Sequence, residues 1–153
     1  MKGSCLCGSI KYEIGSIDMP IAHCHCLTCQ KAHSAAFAPS AGVLREHFRW
    51  LQGEDKLAAY ESTPGKLRRF CLHCGTHLIA EWLDKPHVIV RVASLDEDPG
   101  TVPVRHIWTS HDRSWLRYEG IEAHKEWQPG LEAPANISMD SGEDPPAGWL
   151  SQR

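Results

Sequence analysis

The sequence predicts a mainly β domain with little helix, on three observations. Apolar and polar residues alternate over short runs, most plainly Ile10, Tyr12 and Ile14 against Lys11 and Glu13, and a period of two marks a strand. Turn-forming clusters such as Thr63-Pro64-Gly65 recur between those runs. Stretches long enough for strands are many, and stretches with a helical period are few.

In chain order, residues 3–14 read as one strand. Cys5 and Cys7 share its period, so both sulfurs face one side, and Gly8 follows where a close backbone approach is expected. Residues 15–20 form a turn, and 21–26 extend into the most cysteine-rich stretch, Cys24-His25-Cys26-Leu27-Thr28-Cys29. A turn over 26–29 leads into one helical turn at 30–33. Strands are expected over 37–44 and 49–52, with a short helical turn over 45–48 between them. The runs 57–61 and 67–71 form a hairpin about Thr63-Pro64-Gly65. The run 71–76 is a second knuckle, in which Gly75 lets the loop fold back. Strands follow at 78–82, 87–93 and 105–109, with a loop over 95–103. Residues 1–125 are expected as the folded domain. Residues 126–153, rich in Pro, Gly and acidic side chains, are expected as a C-terminal arm, partly disordered, with Trp149 and Leu150 able to pin its end.

Composition narrows the function. The 153 residues are 42% hydrophobic and 23% charged, with a net charge of −3. That balance lacks the basic excess of a nucleic-acid binder. Lys66, Arg68 and Arg69 cluster on an expected strand, where a solvated face is the expectation. No apolar run is long enough to span a membrane, and Met1 to Cys5 lacks the apolar segment of a secretory signal. A cytoplasmic location is therefore expected, where paired cysteines hold metal more often than they form disulfides.

Seven cysteines cannot all pair as disulfides, whereas four plus three suits two metal ions. Cys26/Cys29 and Cys71/Cys74 have the spacing of zinc knuckles. Cys24, Cys26 and Cys29 are close enough in sequence for one ion to take all three. Cys5/Cys7 and Cys71/Cys74 then complete a four-thiolate tetrahedron, which is a closed, structural arrangement. Three thiolates leave the fourth position to water, substrate or another residue, the pattern of a catalytic zinc. Such an ion carries a net charge of −1, suited to an incoming thiol more than to making hydroxide. The alternative is a non-enzymatic, zinc-stabilised binding module in which a protein group closes the second site; His25, His33, His73, His77 and His111 are its candidates. His23 and His25 are expected to support the site rather than ligate. Trp108 and Trp115 are expected in the core or a pocket wall. Arg45, Arg68, Arg69 and Arg91 could meet the carboxylates of a peptide-like ligand, with solvation the expectation for each.

These residues resemble a known family. Gly3-Ser4-Cys5-Leu6-Cys7-Gly8, His23-Cys24-His25-Cys26-Leu27-Thr28-Cys29-Gln30-Lys31-Ala32-His33 and Phe70-Cys71-Leu72-His73-Cys74-Gly75-Thr76 are similar to motifs of the glutathione-dependent formaldehyde-activating enzyme family. His106-Ile107-Trp108 and Ser114-Trp115 resemble its later motif. The resemblance spans about residues 2–120 and implies a β-tent-like fold of short antiparallel strands around two zincs. It implies Cys5, Cys7, Cys71 and Cys74 as structural ligands and Cys24, Cys26 and Cys29 as ligands of the catalytic zinc. It further implies a carbon–sulfur lyase that joins formaldehyde to glutathione as S-hydroxymethylglutathione, so the expected partners are a small thiol and a small aldehyde. Ser34 stands where a glycine is common, and Thr76-His77 where Ser-Pro is common.

Overall fold

The computed structural model describes residues 1–117 and 119–125. The expected arm over 126–153, with Trp149 and Leu150, lies outside them. The described chain is mainly β, as expected. Its elements are β1 (Lys2–Ser4), β2 (Lys11–Ile14), β3 (Met19–Cys24), α1 (Leu27–His33), β4 (Ala38–Leu44), β5 (Phe48–Gln52), β6 (Leu57–Thr63), β7 (Lys66–Cys71), β8 (His77–Trp82), β9 (His87–Arg91), β10 (Arg105–Ile107) and β11 (Glu122–Ala123). Single 3₁₀ turns join several of them. No helix among the described residues is long and apolar enough to cross a membrane.

The strands form two sheets. A small one runs β1-β2-β5 and a large one runs β11-β10-β3-β4-β9-β8-β7-β6. Hairpin and meander connections make most pairs antiparallel, including β6 with β7 about Pro64-Gly65. The exceptions are β10, which lies parallel to β3, and β11, which lies parallel to β10. The β10–β3 pairing spans some 80 residues of sequence, so local periodicity carries no trace of it.

The expected single strand over 3–14 is corrected to a hairpin. Lys2 pairs with Glu13 and Ser4 with Lys11, and residues 5–10 are the turn. Cys5 and Cys7 therefore converge from a folded loop and not from one face of an extended strand. Gly8 serves that loop by its positive φ of 70°; no backbone approaches it closely, contrary to expectation. The alternation of Ile10, Tyr12 and Ile14 does hold, and all three are buried.

These residues meet Val43, Leu78, Ile79, Val88 and Val90 in the main core, together with Cys5 and Cys71. Tyr12 is wedged in that core. Its hydroxyl lies 2.7 Å from Ser94 Oγ, and its ring stacks on Phe48 at 5.5 Å. Burial pushes its hydroxyl up to about 12, so it stays protonated. A Cβ on Gly3 would sit 2.2 Å from Tyr12 Cζ. The ring is held at both ends and cannot yield, so Gly3→Ala is expected to destabilise by about 2–3 kcal/mol, read as a lower urea midpoint at unchanged slope.

Glu81 is a second fixed point. It is 5% exposed, receives Arg45 Nη1 at 2.5 Å, and pairs with Arg69 Nε. Burial pushes its carboxyl up, but the two guanidiniums outweigh it and hold the group below the usual carboxylate range. A depressed folded value means stability present above the unfolded value near pH 4.3 and lost as pH falls through the folded one. Glu81→Gln is therefore expected to lower stability at neutral pH and to flatten the acid limb of a stability–pH curve.

Candidate metal centres

The first centre joins two loops. Cys5 and Cys7 come from the β1–β2 turn, Cys71 ends β7, and Cys74 lies in the knuckle before β8. Their four sulfurs lie within 4.8 Å of one another. Cys5 and Cys7 are 3.5 Å apart, and Cys7 and Cys71 are 3.8 Å apart. All are free thiols. A tetrahedral zinc with Zn–S near 2.3 Å places its sulfurs about 3.8 Å apart, so the donor set fits that ion. Backbone bonds shape both loops: Gly75 N–H donates to Cys71 O at 2.9 Å and Cys71 N–H to Thr76 O at 3.0 Å. Gly75 carries the positive φ of 73° that closes the knuckle. The Thr76 hydroxyl, 3.2 Å from Cys74 Sγ, helps to bring that thiol down to about 5.

The second centre is local. Cys24 is the last residue of β3, Cys26 caps α1, and Cys29 lies in its first turn. The three sulfurs lie within 4.8 Å of one another, with Cys24 and Cys26 3.6 Å apart. The helix begins at Leu27, earlier than the expected turn over 26–29, because Cys26 Sγ accepts the Cys29 N–H at 3.4 Å. A thiolate at that position caps a helix as a carboxylate would. Ser34 ends α1 in the left-handed region at φ 48°. Hydrogen bonds from Cys24 and Cys26 hold the Cys29 thiol well below its usual value, and the charges of Arg91 and Arg68 add to this. Among the described residues, no further His, Cys, Asp or Glu joins the three sulfurs.

Among the described residues, none of the histidines weighed as a fourth donor, His25, His33, His73, His77 and His111, joins the three sulfurs. His25 is fully buried; its Nδ1 lies 2.5 Å from Asp112 Oδ1 and its Nε2 2.7 Å from His106 Nδ1. Both ring nitrogens are thus used. Burial lowers both imidazoles, His106 to about 4, so both are neutral at pH 7. The carboxylate then assigns the His25 proton to Nδ1, and Nε2 accepts from His106. His23 stacks on Phe37 at 4.2 Å. His111 Nδ1 faces the Leu27 N–H at 3.4 Å. His33 and His77 pack against each other at 4.8 Å. Asp112 is absent from the sequence reading, which treats His25 and His106 separately. The available signal is the segment 106–112, which the parallel β10–β3 pairing returns to the cysteine stretch, His106 beside His23.

The arginines are corrected. Arg68 and Arg91 are 2% and 5% exposed, not solvated as expected. Strand register explains their side. Arg68 lies opposite Ala80, Arg91 opposite Ser40, and Ala38 opposite Cys24. With a period of two, these residues share the face of the large sheet turned away from Val43, Val88 and Val90. There α1 covers them, and Arg68 Nη1 reaches Cys29 Sγ at 3.7 Å. Trp108 is buried with Cys26, Cys29 and Ala38, as expected. Trp115 is 68% exposed, contrary to expectation, and lies between the 3₁₀ turn at Thr109–His111 and β11.

Comparison with known proteins agrees with this arrangement. A solved structure of a Rhodobacter sphaeroides protein, a structural genomics target, superposes with a TM-score of 0.56 at 26% identity, covering 67% of this chain and 98% of that one. No curated protein is significantly similar in sequence. The family profile described as glutathione-dependent formaldehyde-activating enzyme matches residues 1–111, a span that contains both thiol clusters and their supporting arginines. With that match over most of its length, the chain belongs to the glutathione-dependent formaldehyde-activating enzyme family.

Proposed function

We propose that the chain is a zinc-dependent carbon–sulfur lyase acting on thiol–aldehyde adducts, with glutathione and formaldehyde giving S-hydroxymethylglutathione as the leading reaction. The observation that supports it best is the contrast between the two clusters. Four thiols close one centre, and three thiols, with no further His, Cys, Asp or Glu from the described residues, form the other. In this reading Cys5, Cys7, Cys71 and Cys74 hold a structural zinc, and Cys24, Cys26 and Cys29 hold a catalytic one, two ions per chain. Zinc at the second centre would take the substrate thiol as a thiolate that stays nucleophilic at neutral pH.

The residues around the three thiols have separable duties. Arg68 donates toward Cys29 Sγ, which spreads the negative charge of a three-thiolate set. Asp112 and His106 lock the His25 ring, and Gln30 Nε2 donates to the His25 carbonyl at 2.6 Å, so the backbone between Cys24 and Cys26 is fixed. Trp108 and Ala38 pack on the sulfurs and exclude water from that side. The net reaction forms one C–S bond, breaks the carbonyl π bond, and moves the thiol proton to the new hydroxyl. No oxidant or reductant is needed.

The test is turnover of glutathione and formaldehyde by the wild type and Cys26→Ser, each against the uncatalysed background. Wild-type turnover well above background, lost in the variant with the fold retained, is the expected result. Equal rates in all three would overturn the reading. A zinc at the second centre with four protein ligands would favour a binding module instead.

A further inference from the structure

Two buried guanidiniums on the site face of the large sheet lack a carboxylate. Among the described residues neither Arg68 nor Arg91 is in an ion pair. The buried carboxylate of Glu81 is held by Arg45 and Arg69 on the other face. Three thiolates around a divalent cation sum to −1, and Arg68, Arg91 and Lys66 all face them, so positive charge exceeds negative there. A buried charge without a partner is costly, so this surplus calls for an anion.

The hydrogen bonds show where it would sit. Arg68 is occupied, by Cys29 Sγ through Nη1 and by Ser62 Oγ at 3.0 Å through Nε. Arg91 gives Nη1 to Ser40 Oγ at 2.6 Å, and its Nε has no partner. His33 Nε2 and His77 Nδ1 are likewise buried without a partner. All three residues line one cavity of about 280 Å³. The register slip between Arg69 and Phe70 sets His77 opposite Phe70, on the side of Arg68, as a β-bulge re-aims a side chain. The hydroxyls in the cavity wall are already engaged, Ser94 by Tyr12 and the Arg91 carbonyl, Thr76 by Leu6 N–H and Cys74. In the tautomers that carry the proton on those nitrogens, three buried donors surround one space.

We propose that this cavity is a carboxylate-binding subsite, anchored by Arg91 and flanked by His33 and His77. The Nε–Nη2 edge of a guanidinium is the fork that takes a carboxylate through two parallel bonds, and it is the edge that Ser40 leaves open. The volume suits a carboxylate and a few attached carbons. Ala38 lines this cavity and also packs against Cys26 and Cys29, so the subsite borders the three-thiol centre. It rests on the proposed function in one respect: a carboxylate bound there would belong to the thiol substrate.

The test is titration calorimetry on the zinc-loaded full chain with glutathione, glutathione diethyl ester and propionate. The wild type is expected to bind glutathione about tenfold or more tightly than its ester. Arg91→Gln is expected to erase that preference while leaving the ester unchanged, and to abolish propionate binding. Should Arg91→Gln fail to fold, His77→Phe replaces it, with severalfold weaker propionate binding expected. Equal affinity for acid and ester with no propionate binding, or propionate binding untouched by either variant, overturns the subsite. Arg91-dependent propionate binding without an acid-over-ester preference leaves the subsite standing and assigns it a separate small acid. Arg91-dependent binding in a protein that does not turn over formaldehyde keeps the subsite and removes the proposed reaction.

Discussion

Cys71→Ser is expected to prevent folding outright. Cys71 is fully buried, belongs to the main core beside Leu78 and Ile79, and ends β7 where the knuckle begins. Its sulfur lies 3.8 Å from that of Cys7, across 64 residues of sequence. A metal held by these four thiols therefore staples the first hairpin to the middle of the large sheet. Such an ion contributes on the order of ten kcal/mol, which matches the whole stability of an ordinary domain, about 5–15 kcal/mol. Serine supplies a hard hydroxyl in place of a thiolate and leaves a buried polar atom among apolar neighbours. The readouts are zinc content and near-ultraviolet circular dichroism, where Tyr12, Phe48 and Trp50 pack together. A Cys71→Ser protein that keeps two zincs and melts within a few degrees of wild type would remove the structural assignment of this cluster.

The four-thiol cluster was legible in the sequence because its signal is local: pairs of cysteines at fixed spacing. The same holds for β4, β6 to β9 and the Thr63-Pro64-Gly65 hairpin, where period and turn chemistry act over a few residues. What escaped depends on distant partners. Arg68 and Arg91 read as solvated because arginine on a strand usually is. Their burial depends on α1 folding over the sheet and on thiolates brought beside them. Nothing in the sequence marks Asp112 until the parallel β10–β3 pairing carries the 106–112 segment back to His25. Residues 5–10 keep the alternation of a strand, yet Gly8 at positive φ turns them into a loop. The cysteine pattern thus revealed which sulfurs belong together. The side chains that tune them became visible only once long-range register was known.

Titrating the loaded protein with a zinc chelator is expected to release the two ions in separate steps at equilibrium, the first taking all activity with it. Three thiolates bind more weakly than four, which sets the order. Folding coupling widens the gap. The three-thiol cluster spans six residues, Cys24 to Cys29, so losing its ion frees little chain, and the Cys26 cap on α1 persists through the Cys29 N–H. The four-thiol cluster closes a loop of more than sixty residues, and losing its ion releases the entropy of that closure together with the core packing of Cys5 and Cys71. Two tryptophans separate the steps. Trp108 packs on Cys26 and Cys29, whereas Trp50 packs on the core that holds Cys5 and Cys71. The first equivalent of zinc should alter the emission of Trp108, a change missing in Trp108→Phe, and abolish formaldehyde turnover with the near-ultraviolet spectrum kept. The second should coincide with unfolding. Release of both ions in a single step, or an enzyme still active after the first, would show that the three-thiol centre is not the weaker, catalytic one.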